Sequence, residues 1–167
     1  MQRDYQNTPE VLLVRDEAGV YAAISAGREM ASQIGFDRAD QTRLETIIAE
    51  LTRNAMRYGG GGTLTLQRLE RDDLPAGEVQ LGLQVTVEDW GPGIANLAQV
   101  LAGRSEEPHP AASETTQAGS GGLGVGIAVV RRLADEFAIE SMPGRGTRVR
   151  ACKWRRKIAE RPDGKIE

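Results

Sequence analysis

Residues 80–93, with the sequence QLGLQVTVEDWGPG, combine the clearest strand pattern of the chain with a candidate site. Apolar residues occupy every second position from Leu81 to Val87, which is the period of a strand with one buried face. Asp89 ends this strand, and two glycines follow it. An ionised carboxylate accepts hydrogen bonds from amino groups, and glycine lets the backbone approach a flat ligand closely. The segment predicts a ligand site, although a Gly-Pro-Gly turn without a ligand remains an alternative.

Hydrophobic periodicity on either side of this strand predicts the remaining helices and strands. The predicted elements are a strand at 10–15, a helix at 17–34, a second helix from Asp37 or Asp40 to about Tyr58, strands at 63–69 and 80–88, helices at about 94–102 and 123–137, and strands at 139–142 and 146–154. The 63–69 and 80–88 strands are expected to form an antiparallel hairpin. The order βααββααββ predicts an α+β two-layer sandwich with a mixed, mostly antiparallel sheet.

The length and composition indicate one ordinary globular domain over residues 1–167. A chain of 167 residues with 40% hydrophobic residues fits a single core, expected over about 9–154. A polar stretch at 104–118 and a charged tail at 155–167 are expected at the surface. The net charge is −3, the polar first ten residues lack an apolar signal segment, and a lone cysteine forms no internal disulfide. We therefore expect a cytoplasmic protein without a membrane span, in which Cys152 is a small buried apolar residue.

Two further segments carry residue types that suit a nucleotide. Glu50 and Asn54 lie four residues apart in the second predicted helix, so they share a face beside its apolar stripe. They either line a cavity or simply reach solvent, and both interpretations remain open. The glycine-rich segment 119–126 opens the last predicted helix, where backbone N–H groups and the helix dipole suit phosphate. It is not a Walker A motif, and the polar, proline-containing residues before it exclude the strand that a dinucleotide-binding fingerprint requires.

Together, these segments resemble the GHKL (Bergerat-fold) ATP-binding superfamily. The resemblance rests on E-x-x-x-N in a helix, D-x-G-x-G after a strand and G-x-G-G-L-G-x-G before a helix, in that order. It implies that the chain binds ATP with Mg²⁺. The residues implied to bind the nucleotide are Asn54, Asp89, Gly91, Gly93, Gly119, Gly121, Gly122, Leu123, Gly124, Val125, Gly126 and Thr147.

The resemblance also implies individual roles. It implies that the Asp89 carboxylate receives the adenine amino group, and that guanine, whose O6 would face this carboxylate, is disfavoured. Asn54 is implied as a ligand of Mg²⁺, Glu50 as the general base in γ-phosphoryl transfer, and Thr147 as a residue near the adenine pocket. The glycine-rich segment 119–126 resembles the lid whose N–H groups bind the phosphates, and Arg104 is a further candidate for a phosphate contact when this lid closes.

Within the superfamily, the chain is most similar to the stand-alone anti-sigma factor serine kinases and RsbT-type switch kinases. The single histidine, His109, lies between two prolines and does not suit the acceptor helix of a self-phosphorylating sensor kinase. A chain of 167 residues is also not expected to hold the long transducer domains of gyrase-, Hsp90- and MutL-like proteins. The polar stretch at 104–118 departs from this branch, because it is longer than expected for its lid.

The resemblance implies a Mg-ATP-dependent protein serine/threonine kinase in a bacterial partner-switching stress-signalling pathway. Its expected substrate is an STAS-domain antagonist protein, with a sigma factor or a regulatory phosphatase as a further partner, and a homodimer is left open. The alternative is an ATP-responsive anti-sigma or partner-switching binding protein without significant kinase activity. Nucleic-acid binding through Lys153, Arg155, Arg156 and Lys157 is disfavoured by the net charge and the few aromatic residues, and a solvated tail is the simpler interpretation.

Overall fold

The computed structural model of the protein describes residues 8–72, 79–102 and 123–156. Its helices and strands, in chain order, are β1 (Glu10–Val14), α1 (Glu17–Ile34), α2 (Arg38–Gly59), β2 (Gly62–Arg71), β3 (Gln80–Asp89), α3 (Leu97–Leu101), α4 (Leu123–Leu133), β4 (Glu136–Ser141) and β5 (Thr147–Trp154). This order agrees with the predicted βααββααββ. The polar stretch 104–118, the hairpin turn and residues 157–167 of the tail lie outside the described residues.

The described strands form one five-stranded sheet in the order β1-β2-β3-β5-β4. All four of their pairings are antiparallel, so the parallel component of the predicted mixed sheet is not found among them. Alternate side chains of β2 and β3, including Leu64, Leu66, Leu83 and Val85, are fully buried against the helices, which form the second layer. The α+β two-layer sandwich is confirmed. None of the helices in the described part of the chain is long and apolar enough to cross a membrane.

Residues with capping side chains and left-handed glycines fix the ends of α1 and α2. The Asp16 side chain accepts a hydrogen bond from the Gly19 N–H (2.8 Å), and Gly35 (φ 86°) ends α1. The Asp37 side chain caps α2 by accepting from the Asp40 N–H (2.7 Å). Of the two predicted caps, Asp37 therefore begins the helix. Helix α2 is amphipathic, and its C-terminal half carries Glu50 and Asn54 to the end of the sheet.

The predicted helix at 123–137 is too long, because α4 ends at Leu133 and β4 begins at Glu136. The intervening Asp135 binds the neighbouring strand: its N–H donates to the Cys152 carbonyl (2.8 Å), and its carboxylate accepts from the Trp154 N–H (2.7 Å). Pairing with β5 therefore stops the helix, and β4 starts three residues before its predicted position at 139.

Lys153 is not part of a solvated tail, so that part of the prediction is wrong. Its side chain is buried beside Leu83 on the helix side of β5, with 5% of the residue exposed. Its ammonium group pairs with the Asp135 carboxylate at 2.7 Å and lies 3.8 Å from the Asp40 carboxylate. Cys152 beside it is buried, as expected, and burial raises the pKa of its thiol to about 11.

Candidate active site

Asp89 lies at the end of β3, half-buried against the C-terminal end of α2. A Cβ on Gly59, the last residue of α2, would collide with the Asp89 side chain. The Asp89 Oδ1 accepts hydrogen bonds from the N–H groups of Gly91 (2.9 Å) and Thr147 (3.2 Å). Burial raises the pKa of Asp89 above its ordinary 3.8, and these two bonds partly offset the rise. The carboxylate is thus fixed through one oxygen, and neither of these bonds involves its second oxygen.

Glycines surround Asp89 because larger residues would not fit. A Cβ on Gly91 would lie 2.6 Å from the Gly59 Cα, and a Cβ on Gly146 (φ 81°) would collide with the Asp89 carbonyl. A Cβ on Gly93 (φ 73°) would likewise collide with the Met142 carbonyl. The prediction included Gly91 and Gly93 but missed Gly59 and Gly146. The sequence did offer a signal for Gly59, because this residue begins the glycine run 59–62. The same run, however, is also explained by the end of a helix, so it does not by itself indicate a site.

Glu50 and Asn54 face α4 at Gly126, as the prediction of a shared face requires. A Cβ on Gly126 would lie 2.7 Å from the Glu50 Oε2 and 3.2 Å from the Asn54 Nδ2. The Asn54 Nδ2 is buried, and no hydrogen-bond partner for it is found in the described part of the chain. A buried donor without a hydrogen bond costs about 1–3 kcal/mol of stability unless a ligand supplies the missing acceptor. Because an amide can be turned to present either its oxygen or its nitrogen, Asn54 fits a metal ion or a phosphate.

These two groups of residues lie at neighbouring positions along α2. Asn54 and Gly59 are five residues apart, which corresponds to about 7.5 Å along a helix axis. The structure thus places Asp89, Gly91, Gly93 and Thr147 at one end of the site and Glu50, Asn54 and Gly126 at the other. In α4, Gly124 is buried and Val125 is 43% exposed. Five residues named in the prediction lie outside the described part of the chain: Arg104, His109, Gly119, Gly121 and Gly122. Leu123 is the first residue of α4.

An open cavity of about 320 Å³ lies at the ends of β3, β4 and β5. Its lining includes Asp89 and Thr147, but also Glu88, Arg148 and Glu140, which form one cross-strand row. These three alternate with the buried residues, so their side chains project from the sheet face opposite the helices. The cavity therefore opens away from Glu50 and Asn54. Contact between Asp89 and Gly59 instead directs the Asp89 side chain to the helix side, on which Glu50 and Asn54 also lie.

Comparison with known proteins identifies the family of the chain. Residues 39–157, which include both ends of the site, match the HATPase_c family, described as histidine kinase-, DNA gyrase B-, and HSP90-like ATPase. The chain belongs to this family. Membership confirms the GHKL resemblance and agrees with the two-layer fold. ATP is the nucleotide that the HATPase_c family implies for the site.

Individual relatives locate the chain within the HATPase_c family. The serine/threonine-protein kinase RsbT of Bacillus subtilis is 35% identical over 150 residues, which cover 90% of this chain and 99% of RsbT. The sensory kinase SasA of Parasynechococcus marenigrum is 29% identical over 82% of this chain and 34% of SasA. A crystal structure of RsbU and RsbW domains from Mycobacterium tuberculosis has a TM-score of 0.51 and 17% identity, over 90% of this chain and 33% of that one. The fold is shared, and the RsbT match confirms the predicted class of serine/threonine-protein kinase.

Proposed function

We propose that the chain uses Mg-ATP to phosphorylate a serine or threonine of an STAS-domain antagonist protein. The pathway is bacterial partner switching in the cytoplasm, with a sigma factor or a regulatory phosphatase as the further partner. The observation that carries this proposal is the pairing of Glu50 with Asn54 beneath Gly126, on the same helix whose end contacts Asp89. The similarity to RsbT supports protein phosphorylation as the reaction.

At the base end, Asp89 recognises adenine through its ionised carboxylate. Its Oδ1 is held by two backbone N–H groups, which leaves Oδ2 to accept a hydrogen bond from the exocyclic amino group. Gly91 and Gly93 let the base lie against the backbone. Guanine presents an acceptor oxygen at the corresponding position, so its approach to the carboxylate is unfavourable.

At the phosphate end, Asn54 and the start of α4 provide the polar groups. The Asn54 amide oxygen would hold Mg²⁺, which when bound neutralises phosphate charge and takes its other ligands from phosphate and water. Helix α4 begins at Leu123 and contributes the positive end of its dipole. The glycines at 119, 121 and 122 are proposed to add backbone N–H groups. Gly126 keeps α4 close to Asn54, because any side chain there would occupy the space beside it.

Glu50 is proposed as the general base. Its side chain is partly exposed, so a partner hydroxyl has access to it. The hydroxyl oxygen forms a bond to the γ-phosphorus, its proton passes to the Glu50 carboxylate, and the bond between the γ-phosphorus and the departing ADP oxygen breaks. General base catalysis contributes about 10²–10⁴-fold to such a step, and positioning and charge neutralisation supply the remainder.

Transfer of γ-labelled phosphate from ATP to a recombinant STAS-domain protein tests the proposal. The wild type should label a serine or threonine, and Glu50→Gln should slow labelling by about 10²–10⁴-fold while nucleotide affinity is retained. Glu29→Gln, at an exposed position of α1, is the matched control and should label normally. Normal labelling by Glu50→Gln would exclude Glu50 as the base. Nucleotide-dependent binding of the partner without labelling would favour the alternative, an ATP-responsive binding protein.

A further inference from the structure

We infer that Ser141 is a positioning residue of the adenine end of the site. Its hydroxyl contacts Thr147 and the loop after β3, and these two segments supply the N–H groups that orient the Asp89 carboxylate. The inference rests on the proposed function, because it takes the ligand to be an adenine nucleotide. It adds a residue that neither the sequence motifs nor the family match assigns.

The Ser141 hydroxyl joins the end of β4 to the start of β5 and to the loop after β3, which is 47 residues away in the chain. Ser141 is the last residue of β4, and its Oγ accepts a hydrogen bond from the Ile94 N–H at 2.8 Å. The same Oγ lies 2.9 Å from the Thr147 Oγ1, at the start of β5, and 3.3 Å from the Gly146 carbonyl, and its single hydrogen is donated to only one of these two oxygens at a time. One side chain therefore fixes the loop after β3 to the turn between β4 and β5.

These contacts close a ring of hydrogen bonds around Asp89. The Thr147 N–H donates to the Asp89 Oδ1 (3.2 Å), and the Gly91 N–H donates to the same atom (2.9 Å). A bond from the Gly144 N–H to the Pro92 carbonyl (2.7 Å) joins the same two segments a second time. Without the Ser141 hydroxyl, Thr147 loses its side-chain partner and one of the two connections between the segments is lost.

Counting hydrogens shows what the pair of hydroxyls offers to a ligand. Each hydroxyl carries one hydrogen, and a single hydrogen lies between the Ser141 and Thr147 oxygens. When Thr147 donates to Ser141, the Ser141 hydrogen is available for the Gly146 carbonyl. When Ser141 donates to Thr147, the Thr147 hydrogen is directed away from Ser141 and becomes available to a ligand acceptor. The Ser141 hydroxyl thus holds the Thr147 hydroxyl in one of two orientations, and the second orientation presents the Thr147 hydrogen to a ligand.

A donor beside a carboxylate matches adenine better than guanine. Adenine presents an amino donor next to the acceptor N1, whereas guanine presents an acceptor oxygen next to the donor N1–H. Asp89 as acceptor and Thr147 as donor, directly or through a water molecule, complement the first pattern. Removing the Ser141 hydroxyl leaves the Thr147 hydroxyl free to rotate, so both affinity for adenine and discrimination against guanine should decrease.

Calorimetric titration with adenylyl and guanylyl imidodiphosphate tests the inference. Ser141→Ala should bind the adenylyl compound about tenfold more weakly than the wild type, and the adenine-to-guanine preference should narrow. Ser141→Thr should restore affinity because it restores the hydroxyl. Phosphotransfer at saturating ATP should be unchanged, since Glu50 and Asn54 lie at the other end of the site. If Ser141→Ala does not fold, Ser141→Cys keeps the size with a weakly bonding thiol, and the same result is expected.

A double-mutant cycle separates positioning from a general effect on stability. Thr147→Val should also lose about tenfold in affinity, and the double variant should lose little more, because both changes remove one connected group. Thr65→Val, on the helix-free face of β2, is the control and should bind normally. Wild-type affinity in Ser141→Ala, or losses that multiply in the double variant, would overturn the inference. Absence of binding by the wild type would instead overturn the proposed function as a whole.

Discussion

At the scale of single residues, Asp89 combines a proposed role in adenine binding with an environment that disfavours its charge. Burial disfavours its charge, while two backbone N–H groups stabilise it, and burial is the larger effect on the pKa. The ionised form is the one that accepts a hydrogen bond from an amino group. The site therefore maintains a carboxylate that is easier to protonate than an ordinary aspartate.

The raised pKa of Asp89 predicts a pH dependence of nucleotide binding. Affinity for adenylyl imidodiphosphate should fall as the pH falls through this pKa, and the fall should begin at a higher pH than an aspartate with a pKa of 3.8 would give. Titrations at a series of pH values, with Asp89→Asn as the control for protonation of the nucleotide itself, measure the effect. Identical pH profiles for the two proteins would contradict the prediction.

At the scale of the elements, two left-handed glycines provide a matched comparison. Gly93 (φ 73°) and Gly144 (φ 76°) have nearly equal positive φ angles, so alanine costs about 1–2 kcal/mol in backbone strain at either position. A Cβ on Gly144 meets nothing within 4 Å, whereas a Cβ on Gly93 collides with the Met142 backbone. Gly93→Ala should therefore lower the free energy of unfolding more than Gly144→Ala does, and it should also weaken nucleotide binding. Gly144→Ala should bind the nucleotide with normal affinity. Denaturant unfolding and calorimetry check this, and equal effects would contradict it.

The contact between α2 and α4 predicts an unusual result for Gly126→Ala. Alanine stabilises an ordinary helix by about 1 kcal/mol relative to glycine, but here the methyl group would displace Glu50 and Asn54. We expect a protein that melts near the wild-type temperature and has lost phosphotransfer. Arg132→Ala, at an exposed position of α4, should retain activity. Normal labelling of the partner by Gly126→Ala would show that phosphotransfer does not depend on the close contact between α2 and α4.

The sequence predicts the elements better than it predicts their contacts. Periodicity identifies α1 and α2 almost to the residue, and the pairing of Glu50 with Asn54 follows from helical spacing alone. The end of α4 is mispredicted because Asp135 bonds to β5, and no local signal reveals that partner. Ser141 is missed for a similar reason, since its bond to the Ile94 N–H spans 47 residues of the chain.

At the scale of the whole molecule, a buried charge cluster lies far from the site. Asp40 is 1% exposed and contacts Arg43 at 2.6 Å, while Lys153 bridges Asp40 and Asp135. The cluster joins the start of α2 to the end of β5 and to the segment before β4. Asp40 and Asn54 are fourteen residues apart, about 21 Å along a helix. We therefore expect the cluster to support the fold without affecting the nucleotide.

Lys153→Met tests this separation between stability and binding. Removing one partner of a buried ion pair costs about 3–5 kcal/mol, and we expect about 2 kcal/mol here because Asp40 keeps Arg43 and Asp135 is partly exposed. Arg150→Met, exposed on the same strand, should change stability by less than about 0.5 kcal/mol. Denaturant unfolding measures both, and nucleotide affinity should be unchanged in each. Equal stability of the two variants would contradict the role of the cluster.

The proposed function requires an adenine nucleotide to lie between α2 and the end of the sheet, with its base at Asp89. Titration of adenylyl imidodiphosphate into the wild type and into Asp89→Asn, at millimolar Mg²⁺, is the direct test of this placement. We expect saturable heat for the wild type and a loss of affinity of about tenfold or more for Asp89→Asn. Equal affinities in the two proteins, or no heat from the wild type, would contradict it.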